Sequence, residues 1–340
     1  MPKRDIIVIG GSAGAFDALT QIISALPFNL PASVFVVIHS SPDRESKLPG
    51  ILQRSGRLPA TQATHLQEIE RGRIYVAPSD RHLILENRHV MVMHGPKENR
   101  SRPAIDPLFR SAARAYGSRV IAVLLSGALD DGTAGIYAVK KSGGIAIVQD
   151  PAEAPYHSMP QSAIAHNEIN YVLRTEDIAP VLRNLIGQQV DEEGAPDQMK
   201  DDMKAELEIA SQELDSKEMI DSVDRLGRLS MLTCPECQGA LWELRDGELL
   251  RYRCHVGHAF SIESLDAEQA EKLEGALWSA LRALEERVAL SHRLAKQARE
   301  RKRDLIAKNF ESRAEDADKH AEIIRSILLA DPEKLLIQSG

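Results

Sequence analysis

Three stretches of the chain carry side chains whose types and spacing could do chemistry. In the first, a β-branched run at residues 5–9 ends in Gly10-Gly11-Ser12-Ala13-Gly14, and an amphipathic stretch follows at once. This puts a serine on a sharp turn between a buried strand and a helix start, with glycines that leave room for a substrate. The orphan N–H groups of the helix start can hold an oxyanion, so Ser12 is a candidate nucleophile. The competing reading is a helix-capping serine, because small-residue turns after a first strand are common in nucleotide-binding folds. A dinucleotide fingerprint needs glycines at the first, third and sixth positions, and neither frame from Gly10 or Gly11 supplies them.

A second run, residues 34–38, ends in His39-Ser40-Ser41-Pro42-Asp43, and a third, residues 120–125, ends in Ser126-Gly127-Ala128-Leu129-Asp130-Asp131-Gly132. In a wound parallel sheet the C-terminal ends of the strands share one edge, so these loops bring a histidine and carboxylates next to Ser12. Serine, histidine and aspartate on one edge form a charge-oriented nucleophile system. A polar loop histidine and a helix-capping aspartate are the plainer alternatives. The order Ser…His…Asp excludes an α/β-hydrolase, where the histidine comes last.

The last stretch is Cys234-Pro-Glu-Cys237 followed by Tyr252-Arg-Cys254-His255-Val-Gly-His258. The Cys-x-x-Cys has knuckle spacing, and Cys254 with His258 or His255 completes a four-ligand set for a structural zinc. Three buried free thiols are the alternative. Four protein ligands would close the coordination sphere, which argues against a catalytic metal.

Elements must hold these groups in place. Strand-like runs at 6–9, 34–38, 73–77, 120–125, 145–148 and 171–173 alternate with helical patterns at 16–26, 108–116, 134–141 and 178–186. That rhythm predicts an α/β fold, a doubly wound and mostly parallel sheet, over residues 1–189. Residues 82–86 and 89–93 read as a hairpin inserted into it. Residues 190–228 read as an acidic, solvated linker with a helix over 203–214. Residues 229–262 read as a zinc-ribbon-like module with β-like runs at 240–244 and 249–252. Residues 263–340 read as a C-terminal helical hairpin broken near 302–309. The chain has 340 residues and a net charge of −8, which argues against nucleic acid as the main partner. No apolar run has membrane-spanning length and the start lacks an apolar signal core, so the expected compartment is cytoplasmic.

Ile9-Gly-Gly-Ser12-Ala-Gly, Val37-Ile-His39, Ile74-Tyr-Val-Ala-Pro78, Arg102-Pro103, Asp106-Pro-Leu-Phe109, Leu125-Ser-Gly-Ala-Leu-Asp-Asp131-Gly132, Gln149-Asp150-Pro151 and Ser158-Met159-Pro160 occur in one order. Together, across residues 5–187, they closely resemble the catalytic domain of chemotaxis protein-glutamate methylesterases, the CheB family. The resemblance implies a serine hydrolase that removes methyl esters from glutamyl side chains of chemoreceptors, with deamidation of receptor glutamines as a related activity. It assigns Ser12 as nucleophile, His39 as base and Asp131 as orienting acid, with no cofactor for catalysis, and leaves Asp130 as a solvated neighbour or helix cap. Backbone N–H groups at Ala13 and Ala128 are the candidate oxyanion donors. Family members often carry Ser-Thr and Gly-Met-Gly where this chain has Ser12-Ala13 and Gly127-Ala128-Leu129. They also often begin with a phosphorylatable receiver domain, whereas here the catalytic strand starts at Asp5. The expected partners are methylated chemoreceptors or another methylated signalling protein, and a separate regulatory protein. The rival expectation is an esterase-like signalling adaptor that binds pathway proteins without significant catalysis.

Overall fold

The computed structural model describes residues 1–43, 46–191, 197–211 and 215–329. The N-terminal α/β domain begins β1 (Ile6–Gly11), α1 (Ala15–Ser24), β2 (Ser33–Ile38), α2 (Leu48–Ser55), β3 (Ala60–Gln62), β4 (Gln67–Glu68) and β5 (Ile74–Val76). It continues β6 (His82–Glu86), β7 (His89–Met93), α3 (Ile105–Tyr116), β8 (Val120–Leu124), α4 (Thr133–Lys141) and β9 (Ile145–Gln149). It closes with α5 (Ser158–His166), β10 (Tyr171–Leu173) and α6 (Thr175–Leu185). Seven strands form a parallel sheet in the order β10-β9-β8-β1-β2-β5-β3.

Burial on both faces explains the continuous apolar strands. Ile6 and Val8 of β1 pack with α3 and α4, while Ile7 and Ile9 pack with α1, α2 and α6. Because β1 lies between β2 and β8, the chain reverses its winding direction there, and the C-terminal ends of these three strands border one crevice. The predicted hairpin β6–β7 forms, but it joins β4 in a separate three-stranded sheet. Its inner residues Leu83, Leu85 and Val90 close the core over α3.

The remaining elements are α7 (Asp197–Ser211), α8 (Ser216–Leu226), β11 (Arg228–Thr233), β12 (Ala240–Asp246), β13 (Leu249–Cys254), β14 (Ala259–Ser261), α9 (Ile262–Glu300) and α10 (Asp304–Leu328). The region 190–228, expected to be a solvated linker, is different. Met203, Leu207, Ile209 and Ala210 of α7 are buried, and Glu206 sits inside a charge cluster with Arg110, Arg251 and Arg253. An amphipathic face plus a paired buried carboxylate anchors α7. Residues 192–196 and 212–214 of that region lie outside the described residues.

Strands β11–β14 make a four-stranded antiparallel sheet, the small ribbon expected for residues 229–262. It belongs to the same compact unit as the large sheet, Met1–Leu265, and a second unit begins at Asp266. Within that second unit α9 and α10 run antiparallel, joined by Arg299–Glu311 and Arg325–Glu285 ion pairs and by buried Ala314, Ala317 and Ala321. The break falls at residues 301–303, close to where the sequence placed it.

Candidate active site

The register of the central strands sets the site. Gly11 of β1 pairs with Ile38 of β2, so the next residues, Ser12 and His39, leave neighbouring strands side by side. The Ser12 N–H donates to the Ser126 carbonyl at 2.9 Å, which ties the serine turn to the loop after β8. Gly127 leaves room for this approach: a Cβ there would stand 3.0 Å from the Ser12 Cβ and would push the end of the Met159 side chain aside. Gly14, in the left-handed region at φ 74°, ends the turn and starts α1.

Asp131 comes from the loop after β8 and is 2% exposed, yet all its acceptor capacity is used. Oδ2 accepts from His39 Nε2 at 2.7 Å and from the Ile105 N–H at 2.7 Å. Oδ1 accepts from Asn99 Nδ2 at 3.0 Å and from the Asp106 N–H at 3.2 Å. Ile105 and Asp106 are the first residues of α3, whose own N-cap residue, Ala104, offers no side-chain bond. Asp131 therefore caps that helix from across the domain and sits at the positive end of its dipole. Burial pushes the Asp131 carboxyl up, but the His39 contact and the Ile105 and Asn99 hydrogen bonds outweigh it, holding the group below its ordinary range.

This fixes the imidazole. An ionised carboxylate only accepts, so His39 Nε2 carries a proton, and in the neutral ring Nδ1 holds the lone pair. The basic nitrogen is thus Nδ1. In this conformation it faces the Ser101 hydroxyl at 3.2 Å. Among the described residues no hydrogen bond joins Ser12 to His39. The structure brings His39 and Asp131 into contact and sets Ser12 at the adjoining strand end. Neither the Ala13 nor the Ala128 N–H has an acceptor among the described residues, and both lie next to residues of the Ser12–Gly127 contact.

Asp130 departs from expectation. It is 5% exposed, accepts a 2.6 Å hydrogen bond from Ser261 Oγ of β14, and is pushed up by burial to about 7. Asp106 is also buried; desolvation, then the neighbouring Asp131, raises it to about 8. Sequence reasoning missed Asn99, Ser101, Ser261 and Ser264. The one available signal was the position of Asn99 and Ser101 immediately ahead of Arg102-Pro103.

The cysteine motif closes on itself. One ligand atom each from Cys234, Cys237, Cys254 and His258 lie within 4.8 Å of one another. Cys237 and Cys254 sulfurs are 3.6 Å apart, and His258 Nδ1 is 3.5 Å from Cys254 Sγ and 3.8 Å from Cys234 Sγ. Tetrahedral zinc with ordinary Zn–S and Zn–N bonds has edges of about 3.5–3.8 Å, so this donor set fits the ion. His255, left open by the sequence, instead lies edge-on to Trp242, with ring centroids 6.4 Å apart.

The family model for CheB methylesterase matches residues 7–182. A relative from Leptospira interrogans is 36% identical over 182 residues, 53% of this chain and 94% of its own length. A protein-glutamate methylesterase/protein-glutamine glutaminase of Anaeromyxobacter dehalogenans is 35% identical over 183 residues, 54% of each chain. The crystal structure of the Thermotoga maritima CheB methylesterase catalytic domain is matched over its whole length and 55% of this chain, at 35% identity and a TM-score of 0.52. With the motif-bearing sheet edge, the His39–Asp131 pair and these matches in agreement, the chain belongs to the CheB methylesterase family.

Proposed function

We propose that this protein hydrolyses γ-glutamyl methyl esters on methylated chemoreceptors, and deamidates receptor glutamines, through Ser12, His39 and Asp131. The observation that carries the reading is the His39 ring, whose Nε2 is held by Asp131 on a strand end adjoining the one from which Ser12 emerges. His39 Nδ1 takes the Ser12 proton as Oγ attacks the ester carbonyl carbon, and Asp131 stabilises the imidazolium. The N–H groups of Ala13 and Ala128 hold the oxyanion in this reading. When the tetrahedral intermediate collapses, the imidazolium gives its proton to the departing methoxide, releasing methanol. Water, deprotonated by His39, then attacks the acyl-serine and frees the glutamate.

Zinc held by Cys234, Cys237, Cys254 and His258 is a structural ion in this reading. Its ligand set is complete without substrate and it supplies fold stability. No helix among the described residues is long and apolar enough to cross a membrane. The protein is assigned to the cytoplasm, meeting the membrane through its receptor, with a separate protein as its regulator. Methanol release from methylated receptor membranes tests the proposal. Wild-type protein should release it and Ser12→Ala should not. Equal release by both would sink the serine mechanism; none from either would favour an adaptor.

A further inference from the structure

The turn between the ribbon and the catalytic residues does more than connect them. Residues 98–101 form a tight reverse turn closed by reciprocal backbone hydrogen bonds between Glu98 and Ser101, with Asn99 and Arg100 both left-handed, at φ 47° and 67°. On one side this turn belongs to the ribbon. The Asn99 N–H donates to the Ala259 carbonyl at 2.9 Å and the Ala259 N–H to the Lys97 carbonyl at 3.3 Å, so β14 continues directly into the α/β domain. Buried Glu98 pairs with Arg253, the residue before the ligand Cys254, and Arg253 also bonds the Gly257 carbonyl in the ligand loop. On its other side the turn touches both the acid and the base, through Asn99 and Ser101.

The Asn99 amide is the joint. Its Oδ1 accepts from the Ser261 backbone N–H at 3.0 Å and from Ser264 Oγ at 3.1 Å. A backbone N–H can only donate, so this fixes which end of the amide is oxygen. The NH2 end must then face the α/β domain, where it donates to Asp106 Oδ2 at 2.9 Å and to Asp131 Oδ1 at 3.0 Å. Two contacts to its oxygen, one from β14 and one from the first turn of α9, and two donor contacts to the catalytic side use the whole group, which is 7% exposed. Rotating the amide would set oxygen against carboxylate oxygen and nitrogen against a backbone N–H.

We infer that Asn99 is a positioning residue for Asp131, held in place by the metal-organised ribbon, so that the state of the Cys/His site is read at the His39–Asp131 pair. The ribbon therefore acts as a built-in control element for the α/β domain. The inference rests on the serine-hydrolase reading for its kinetic arm only.

The test uses the full chain, its zinc content, hydrolysis of a simple aryl ester, labelling of Ser12 by an organophosphonate, and the low-field proton resonance of the His39 imidazole N–H bonded to Asp131. Asn99→Asp keeps the size but turns both donors toward the carboxylates into acceptors. It should lower kcat about tenfold or more at nearly constant KM, as expected for losing a hydrogen bond to a charged group. It should also move the low-field resonance while zinc content stays unchanged. Ser264→Ala, which removes the donor that the first turn of α9 gives to Asn99 Oδ1, should move both readouts in the same direction by less. Stripping zinc from wild-type protein should reproduce the Asn99→Asp resonance, and adding zinc back should restore it. Cys237→Ser should show the same altered resonance and fail to respond to zinc. A purely structural role would reduce the labelled fraction of Ser12 without changing kcat per labelled site or the resonance. The inference is overturned if zinc-stripped protein keeps the wild-type resonance and labelling rate. Absence of ester hydrolysis in the wild type would defeat the functional proposal instead, and the resonance would still decide the coupling.

Discussion

The sheet edge with Ser12, His39 and Asp131 and the Cys/His ribbon are both clusters of polar side chains delivered by loops, but they are held by opposite means. Around the sheet edge, β1, β2 and β8 are buried on both faces, and their backbones position the loops before any catalytic group makes a contact. The ribbon has less of this: Trp242 and Leu244 of β12 pack against α7 and α8. One small cluster around its ligands contains Leu241, Phe260 and Leu265 beside Cys234 and Cys254, so the ligand side chains are themselves much of the core. A site carried by a large core tolerates loss of its chemistry without unfolding. A site that forms its own core does not.

The largest expected effect isolates the first half of that contrast. Ser12→Ala should remove about 10⁴-fold or more of the hydrolysis, and adding His39→Ala should cost little beyond it, because such residues act as a unit. Tm should stay within roughly 2 °C, the level of a surface change. A large Tm drop would mean the edge depends on its catalytic groups after all. Asp131→Asn comes next, at about 10³-fold or more in kcat, and here stability should fall too, since the helix-capping charge is removed. Differential scanning calorimetry beside steady-state kinetics separates the two effects.

Cys254→Ser probes the other half. Zinc should be lost, and backbone hydrogen exchange should accelerate through β11–β14 while β1 and β8 stay protected. Uniform acceleration across both sheets would erase the distinction. Glu206→Gln should cost about 3–5 kcal/mol, because it leaves the guanidinium groups of Arg110, Arg251 and Arg253 short of a buried carboxylate. Urea unfolding measures it.

The smallest effect is one of pH. Burial raises Asp130 to about 7 and Asp106 to about 8, so both hold protons in the folded protein that an ordinary aspartate would have released. Stability linked to them is complete below about pH 4 and is lost as pH rises through those raised values. Tm should therefore decline between about pH 5 and 8, and Asp130→Asn should flatten part of that decline, by roughly 2–4 °C. An identical slope in both proteins would remove Asp130 from the account.

What the sequence revealed follows the same division. Ser12, His39 and Asp131 each directly follow, or lie a few residues beyond, a β-branched run, and parallel topology puts such strand ends on one edge. The cluster of Cys234, Cys237, Cys254 and His258 was readable from spacing as a candidate ligand set, apart from the choice between His255 and His258, which depends on where each ring packs. Asn99, Ser101, Ser261 and Ser264 were not readable: each lies outside any periodic stretch or at an element's end, and their partners are up to 165 residues apart. Charge was the misleading signal. Glu206 and Asp130 looked solvated because hydropathy scores a residue alone, whereas here each is buried with a partner that supplies its hydrogen bonds. The strands β3 and β4 were missed because they are only three and two residues long and largely polar.

The buried charge cluster also bears on where this protein can be divided. Similarity to relatives ends near residue 182, which invites a cut just after the last helix of the wound sheet. Such a cut would remove Glu206, Arg251 and Arg253, opening the packed Glu98–Arg110 pair to water and leaving the backbone of Lys97 and Asn99 without the strand they join. Homology and packing draw different borders here: the matched domain stops within α6, while the compact unit that holds it reaches Leu265.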